Sequence, residues 1–240
     1  MLINNSSIKI YDSYRSCFKD IQCKNSFLKS ADKISNLIKR FVLPYKSDVF
    51  VLDLGCGSGE VLYALNKLGF KNLHGCDISK EQIALTSIYF PNTECKDIFD
   101  KLKELKSSSV SIIILFDVLE HIKRESVLLL LKECRRVLHS EGILIGHCPN
   151  GFSPFFGSDF WSDPTHEWCY TPKSIDVIAR ISGFSKINHI EHLGASPTFL
   201  GFLRSLLWII LKVFIKICNK IETNDCPKIL TRNFCFILKP

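Results

Sequence analysis

The stretch Val51–Glu60, VLDLGCGSGE, decides the fold. A short run of strand-forming residues passes straight into three glycines on alternate positions, Gly55, Gly57 and Gly59, and a helical segment follows. Glycine lets the backbone turn left-handed and come close to a ligand, and the start of the next helix presents N–H groups with no partner inside the helix. The spacing is GxGxG rather than GxGxxG, and Asp53 stands two residues before the first glycine. A carboxylate there repels a pyrophosphate and suits a ligand with a positive centre.

Working outward, strands are predicted near 49–54, 73–77, 111–116 and 143–147, alternating with helices near 59–68, 80–89 and 124–138. This alternation predicts a parallel sheet with helices on both faces. Asp53, Asp77, Asp97 and Asp117 recur at intervals of 24, 20 and 20 residues, each after a short apolar run. Their spacing predicts that all four sit at the carboxyl edge of one sheet and line a shared crevice.

Residues 1–48 predict an N-terminal helical cap, with Ser30-Ala31-Asp32 capping a helix that carries Ile34, Leu37, Ile38 and Phe41 and ends at Pro44. The core is expected over 49–198. Within it PNGFSPFFGSDFWSDPTHEWCYTP, residues 149–172, forms a lid loop, followed by a helix over 173–182 and a strand over 186–192. A basic amphipathic helix over 199–222 and a final core strand within 223–240 complete the chain.

A chain of 240 residues suits one α/β core. Its 11 cysteines are odd in number and never form CxxC, which favours reduced thiols over a zinc site or a disulfide framework. No basic segment followed by an apolar run opens the sequence, so a cytoplasmic location is expected. The net charge of +7 is concentrated at one end, with seven Lys or Arg against two acids from Leu200 onward. That excess accompanies the most apolar stretch, which points to an anionic membrane surface rather than to nucleic acid. In FLGFLRSLLWIILKVFIKICNK, residues 199–220, the uncharged runs are too short to span a bilayer, and Arg204, Lys212, Lys216 and Lys220 share one helical face. Two readings follow: Trp208 and the neighbouring Leu and Ile enter a membrane interface, or the helix docks on protein and turns its basic stripe to water.

VLDLGCGSG, Asp77 at the end of HGCDI, KDIF around Asp97 and FDVLEHI together resemble the class I S-adenosylmethionine-dependent methyltransferases over residues 49–150. The resemblance implies a Rossmann-like α/β fold with a mostly parallel seven-stranded sheet, helices on both faces and a reversed last strand. It further implies S-adenosyl-L-methionine as cofactor: Asp53, Gly55, Cys56, Gly57 and Gly59 at the methionine end, Asp77 on the ribose, Ile78, Asp97 and Ile98 around the adenine, and Phe116 near the amino acid moiety. PNG, Asp163-Pro164-Thr165-His166-Glu167 and Tyr170-Thr171-Pro172 are similar to a subgroup associated with bacterial surface-polysaccharide and glycolipid biosynthesis, with Tyr170 where that pattern has phenylalanine. O-methylation of a sugar or glycolipid hydroxyl is the activity this implies. A quinone or other lipid-like small molecule as acceptor, and a cofactor-binding homologue without turnover, are the alternatives.

Methyl transfer needs an in-line approach to the sulfonium carbon and a destination for the nucleophile's proton. His166 is the candidate base, with Asp163 or Glu167 orienting it; alternatively DPTHE is a turn, Asp163 its cap and His166 a partner of loop carbonyls. His121 and His147 read more readily as packed, hydrogen-bonded histidines. No local ligand spacing points to a metal, and none is expected. Phe152, Phe155, Phe156, Phe160, Trp161, Trp168 and Tyr170 either stack on substrate or close the core beneath the lid.

Overall fold

The computed structural model describes residues 24–192, 198–224 and 226–240. Its elements are α1 Lys24–Val42, β1 Val51–Leu54, α2 Glu60–Lys67, β2 Leu73–Asp77, α3 Lys80–Thr86, β3 Thr93–Cys95, α4 Ile98–Glu104, β4 Val110–Phe116, a 3-10 turn Leu119–His121, α5 Arg124–Val137, β5 Leu138–Pro149, α6 Gly157–Phe160, α7 Pro172–Ile181, β6 Lys186–Glu191, α8 Phe199–Thr223 and β7 Asn233–Lys239. The seven strands form one sheet in the order β3-β2-β1-β4-β5-β7-β6. Strands β1 to β5 pair in parallel, and β7 runs antiparallel to both β5 and β6. The Rossmann-like fold with a reversed last strand is therefore the observed one.

Alternation along the strands divides the core in two. Leu52, Leu54, Ile113, Leu115 and Leu144 pack against α4, α5 and α7, whereas Val51, Ile112, Ile114, Ile143 and Ile145 pack against α1 and α2. Asp53 falls between Leu52 and Leu54, so its side chain points to the α1–α2 side.

Two sequence expectations need correction. Ser30-Ala31-Asp32 does not cap α1 but lies inside it: Ala31 is buried, Asp32 pairs with Lys67 of α2, and Ser30 and Ile34 line the central cavity. The amphipathic repeat extends upstream of Ser30, and a polar residue facing a neighbouring helix or a cavity has no need of a helix terminus. The expected segment before Lys24 lies outside the described residues.

The second correction concerns α8. Its basic stripe does not face water throughout: Lys212 pairs with Glu191 of β6, and Gly201, Ser205, Trp208 and Asn219 also occupy the sheltered side. Trp208 lies against Phe155 of the lid, with ring centroids 6.4 Å apart. Leu206, Leu207, Ile210, Val213, Phe214 and Ile217 are exposed. The helix thus docks by its more polar side and presents its apolar side outward, the reverse of an ordinary surface helix. Among the described residues, no helix is long and apolar enough to cross a membrane.

Candidate functional site

The glycine turn joins β1 to α2 and is braced by β2. Gly55 N–H and Cys56 N–H both donate to the Cys76 carbonyl, at 2.8 and 3.0 Å. Gly55 has φ +77°, and a Cβ built on it would lie 2.5 Å from a Val118 methyl, so both its conformation and its surroundings demand glycine. Gly57 N–H donates to Asp77 Oδ2 at 2.9 Å, and Ser79 N–H donates to Oδ1 at 2.8 Å. Asp77 thereby ties the turn to the start of α3, where Ser79 is the N-cap and accepts from Gln82 N–H.

A cavity of about 630 Å³, within the range of small-molecule sites, opens at this sheet edge. Gly55, Cys56, Gly57, Asp77, Ile78, Asp97, Ile98 and Phe116 all line it. Asp97 caps α4 through Phe99 N–H at 2.8 Å, which fixes Asp97 and Ile98 at the rim. Gly59 caps α2 in the left-handed conformation but is not part of the lining. Three of the four recurring aspartates, Asp77, Asp97 and Asp117, therefore share the crevice.

Asp53 is the exception. It is 1% exposed, lies beneath the turn rather than on the cavity wall, and neither carboxylate oxygen has a hydrogen-bond partner. Burial, then the charges of Asp77 and Glu60, push its pKa well above the usual carboxylate range. An isolated buried carboxylate is costly to keep ionised, so burial favours the protonated form of Asp53.

The far end of the cavity is built by the 3-10 turn and the lid. Glu167 N–H and Trp168 N–H both reach the Glu120 carbonyl, at 2.6 and 3.3 Å. This brings the rings of His121 and His166 to 4.6 Å. Both histidines and Glu120 line the cavity. The oxygen on His166 Nδ1 is the Phe160 carbonyl at 2.8 Å, where the sequence reading expected Asp163 or Glu167. Asp163 instead accepts from Thr165 N–H and Oγ1, and Thr165 Oγ1 meets His121 Nδ1 at 2.8 Å. Glu167 is exposed. Removal from water, then the proximity of His166, pushes the His121 pKa down to about 4, so this imidazole is neutral at physiological pH.

His147 bridges Asp117 Oδ1 at 2.6 Å and His192 Nδ1 at 2.8 Å. Asn150 of PNG is a structural clamp that the sequence reading did not assign: fully buried, it donates to the Ile229 and Thr231 carbonyls and accepts from Phe152 N–H. Pro172 and the reciprocal Thr171–Ser174 capping box start α7 and fix the end of the lid. The lid aromatics divide: Phe160 and Tyr170 are buried, whereas Phe152, Phe155, Trp161 and Trp168 are exposed, Trp168 with Arg124 stacked 4.3 Å over its ring.

The sheet order and the braced turn beside an acidic strand end define a protein of Rossmann-like methyltransferase architecture. Residues 52–146 match the family model described as methyltransferase domain. No curated protein matches the chain. Among solved structures it is similar to an S-adenosylmethionine-dependent methyltransferase from Archaeoglobus fulgidus at 21% identity and TM-score 0.66, covering 88% of this chain and 94% of that one. A possible histamine N-methyltransferase from Thermotoga maritima matches at 12% identity and TM-score 0.63, covering 97% and 98%. Phosphoethanolamine N-methyltransferase 2 from Haemonchus contortus, solved with S-adenosyl-L-methionine, matches at 16% identity and TM-score 0.59, covering 96% of this chain and 60% of that one. At these identities the likeness establishes the fold.

Proposed function

We propose that this protein binds S-adenosyl-L-methionine and methylates a hydroxyl of a small acceptor, a sugar or glycolipid precursor, brought from a membrane surface. The observation that carries the reading is that one cavity is lined both by the Asp77-braced glycine turn and by the His121–His166 pair. The cofactor's sulfonium supplies an electrophilic methyl group.

The residues present fit that cofactor. Asp77, its carboxylate oriented by two backbone N–H groups, is positioned to accept from ribose hydroxyls. Ile78 and Ile98 flank the adenine position, and Asp53, buried without a side-chain partner under Gly55–Gly57, acts on the cofactor only through the turn above it. At the acceptor end, the Phe160 carbonyl takes the Nδ1 hydrogen of His166, leaving Nε2 with the lone pair that receives the hydroxyl proton. Asp163, through Thr165, sets the orientation of His121 rather than that of His166.

The outward apolar side of α8 supports a lipid-linked acceptor at the inner face of the membrane, because such a surface needs a cover. A lipid-like quinone suits the same face. Calorimetry with S-adenosylhomocysteine, followed by turnover with radiolabelled S-adenosyl-L-methionine on glycolipid and quinone fractions, tests the proposal. Label in the glycolipid fraction supports it, and label in the quinone fraction moves the acceptor. Binding without any labelled product leaves a non-catalytic binder, and no heat at all removes the cofactor assignment.

A further inference from the structure

Glu120, His121 and His166 each bring one ligand atom within 4.8 Å of the others. Glu120 is 1% exposed, and its Oε2 has no hydrogen-bond partner although it belongs to a residue on the cavity wall. Buried carboxylate oxygens are rarely left so.

The hydrogen bonds around the two histidines fix their tautomers. A carbonyl only accepts, so His166 Nδ1 carries the hydrogen given to Phe160, and Nε2 carries the lone pair. Thr165 Oγ1 gives its own hydrogen to Asp163 Oδ1 at 2.6 Å, so it accepts from His121 Nδ1, and His121 likewise carries its lone pair on Nε2. An oxygen holding the far N–H of each imidazole is the outer support found around metal-bound histidines. Two imidazoles and one carboxylate form a ligand set suited to divalent first-row ions with positions left open.

We propose that Glu120, His121 and His166 bind a divalent first-row transition-metal ion at the acceptor end of the cavity. Binding stands on these side chains alone; the role, holding the acceptor oxygen and making its hydroxyl more acidic, rests on the methyl-transfer reading. With the ion in place the His166 lone pair is a ligand, and the acceptor's proton leaves to water; without it, His166 is the base. Ligand bonds of about 2.0–2.2 Å require donor atoms closer than the present spread, so the lid moves inward by roughly 1 Å on loading. His121 and His166 lie too far apart in the sequence for spacing to reveal the set.

The test is titration of the chelator-treated full chain with Co²⁺, read by visible absorption, with S-adenosylhomocysteine calorimetry run in parallel. Expected are one equivalent of Co²⁺, d–d bands without a thiolate charge-transfer band, and affinity at least about tenfold weaker in both His166→Ala and Glu120→Gln. Should Glu120→Gln fail to fold, His166→Ala decides, its fold checked by retained S-adenosylhomocysteine binding. Absent d–d bands, thiolate bands alone, or unchanged affinity in the folded variant overturns the proposal. Co²⁺ bound as predicted without S-adenosylhomocysteine heat keeps the metal site and removes only the methyl-transfer role; the reverse result removes only the metal.

Discussion

Glu167 N–H donates to the Glu120 carbonyl at 2.6 Å, and this backbone bond carries the lid onto the 3-10 turn. It forms one end of the cavity from two segments far apart in the sequence. His166 therefore reaches His121 through backbone pairing rather than through its own side chain, and substitution of the His166 imidazole is expected to leave the lid seated.

Replacing Asp77 by alanine removes the acceptor for both Gly57 N–H and Ser79 N–H. Hydrogen bonds to a charged group are worth about 1.5–3 kcal/mol each, so the turn loosens and the melting temperature falls. S-adenosylhomocysteine affinity, measured by calorimetry, is expected to drop by at least about tenfold, since the ribose contact proposed for Asp77 would be lost as well. Unchanged affinity would remove Asp77 from the cofactor site.

Gly55→Ala sets a Cβ against Val118 at 2.5 Å and a side chain at φ +77°. Overpacking costs about 1–3 kcal/mol, and the left-handed conformation adds roughly 1–2. Chemical denaturation of Gly55→Ala with and without Val118→Ala separates the two, because the second substitution relieves only the clash. Equal loss in the presence and absence of Val118→Ala would mean that backbone strain accounts for all of it.

Acid is expected to destabilise the fold through His192. Burial, then the nearby His147, pushes its pKa from the ordinary 6.5 down to about 4. Above pH 6.5 both folded and unfolded chains hold it neutral, and its cost is nil. As pH falls from there toward 4, the unfolded chain takes up a proton that the folded chain refuses, and stability declines. Melting temperatures across that window should slope less steeply in His192→Gln, and an identical slope would clear His192 of the effect.

The outward side of α8 should hold the protein on anionic lipid. Flotation with phosphatidylglycerol vesicles is expected to recover the chain, whereas Leu207→Glu with Ile210→Glu, both at exposed positions, should leave it behind. Equal recovery of the variant would assign the interaction to surface charge alone.

Local patterns were the legible ones. The strand-to-glycine turn, Asp77 at a strand end and the helix after Thr171-Pro172 depend on a few adjacent residues, and the sequence places them correctly, whereas it predicts neither α4 nor its Asp97 cap. Strand β3, Thr93–Cys95, is three residues long with no apolar repeat, and no strand is predicted there from the sequence. The His121–His166 approach depends on lid pairing that no periodicity encodes. For α8, 100° per residue identified the basic stripe but could not say which side meets the protein, because that side is set by contacts with distant residues such as Lys212 with Glu191 and Trp208 with Phe155.

The position of β7 between β5 and β6 bears on how the molecule is made. Until Asn233–Lys239 emerge from the ribosome, β5 has a bare outer edge and β6 has no sheet to join. The half that carries the glycine turn can assemble earlier, but the lid's anchorage at Asn150 waits on the carbonyls of Ile229 and Thr231. The lid side of the cavity is thus completed after the glycine-turn side during biosynthesis, and a chaperone shielding that raw edge would act on the nascent chain in this interval.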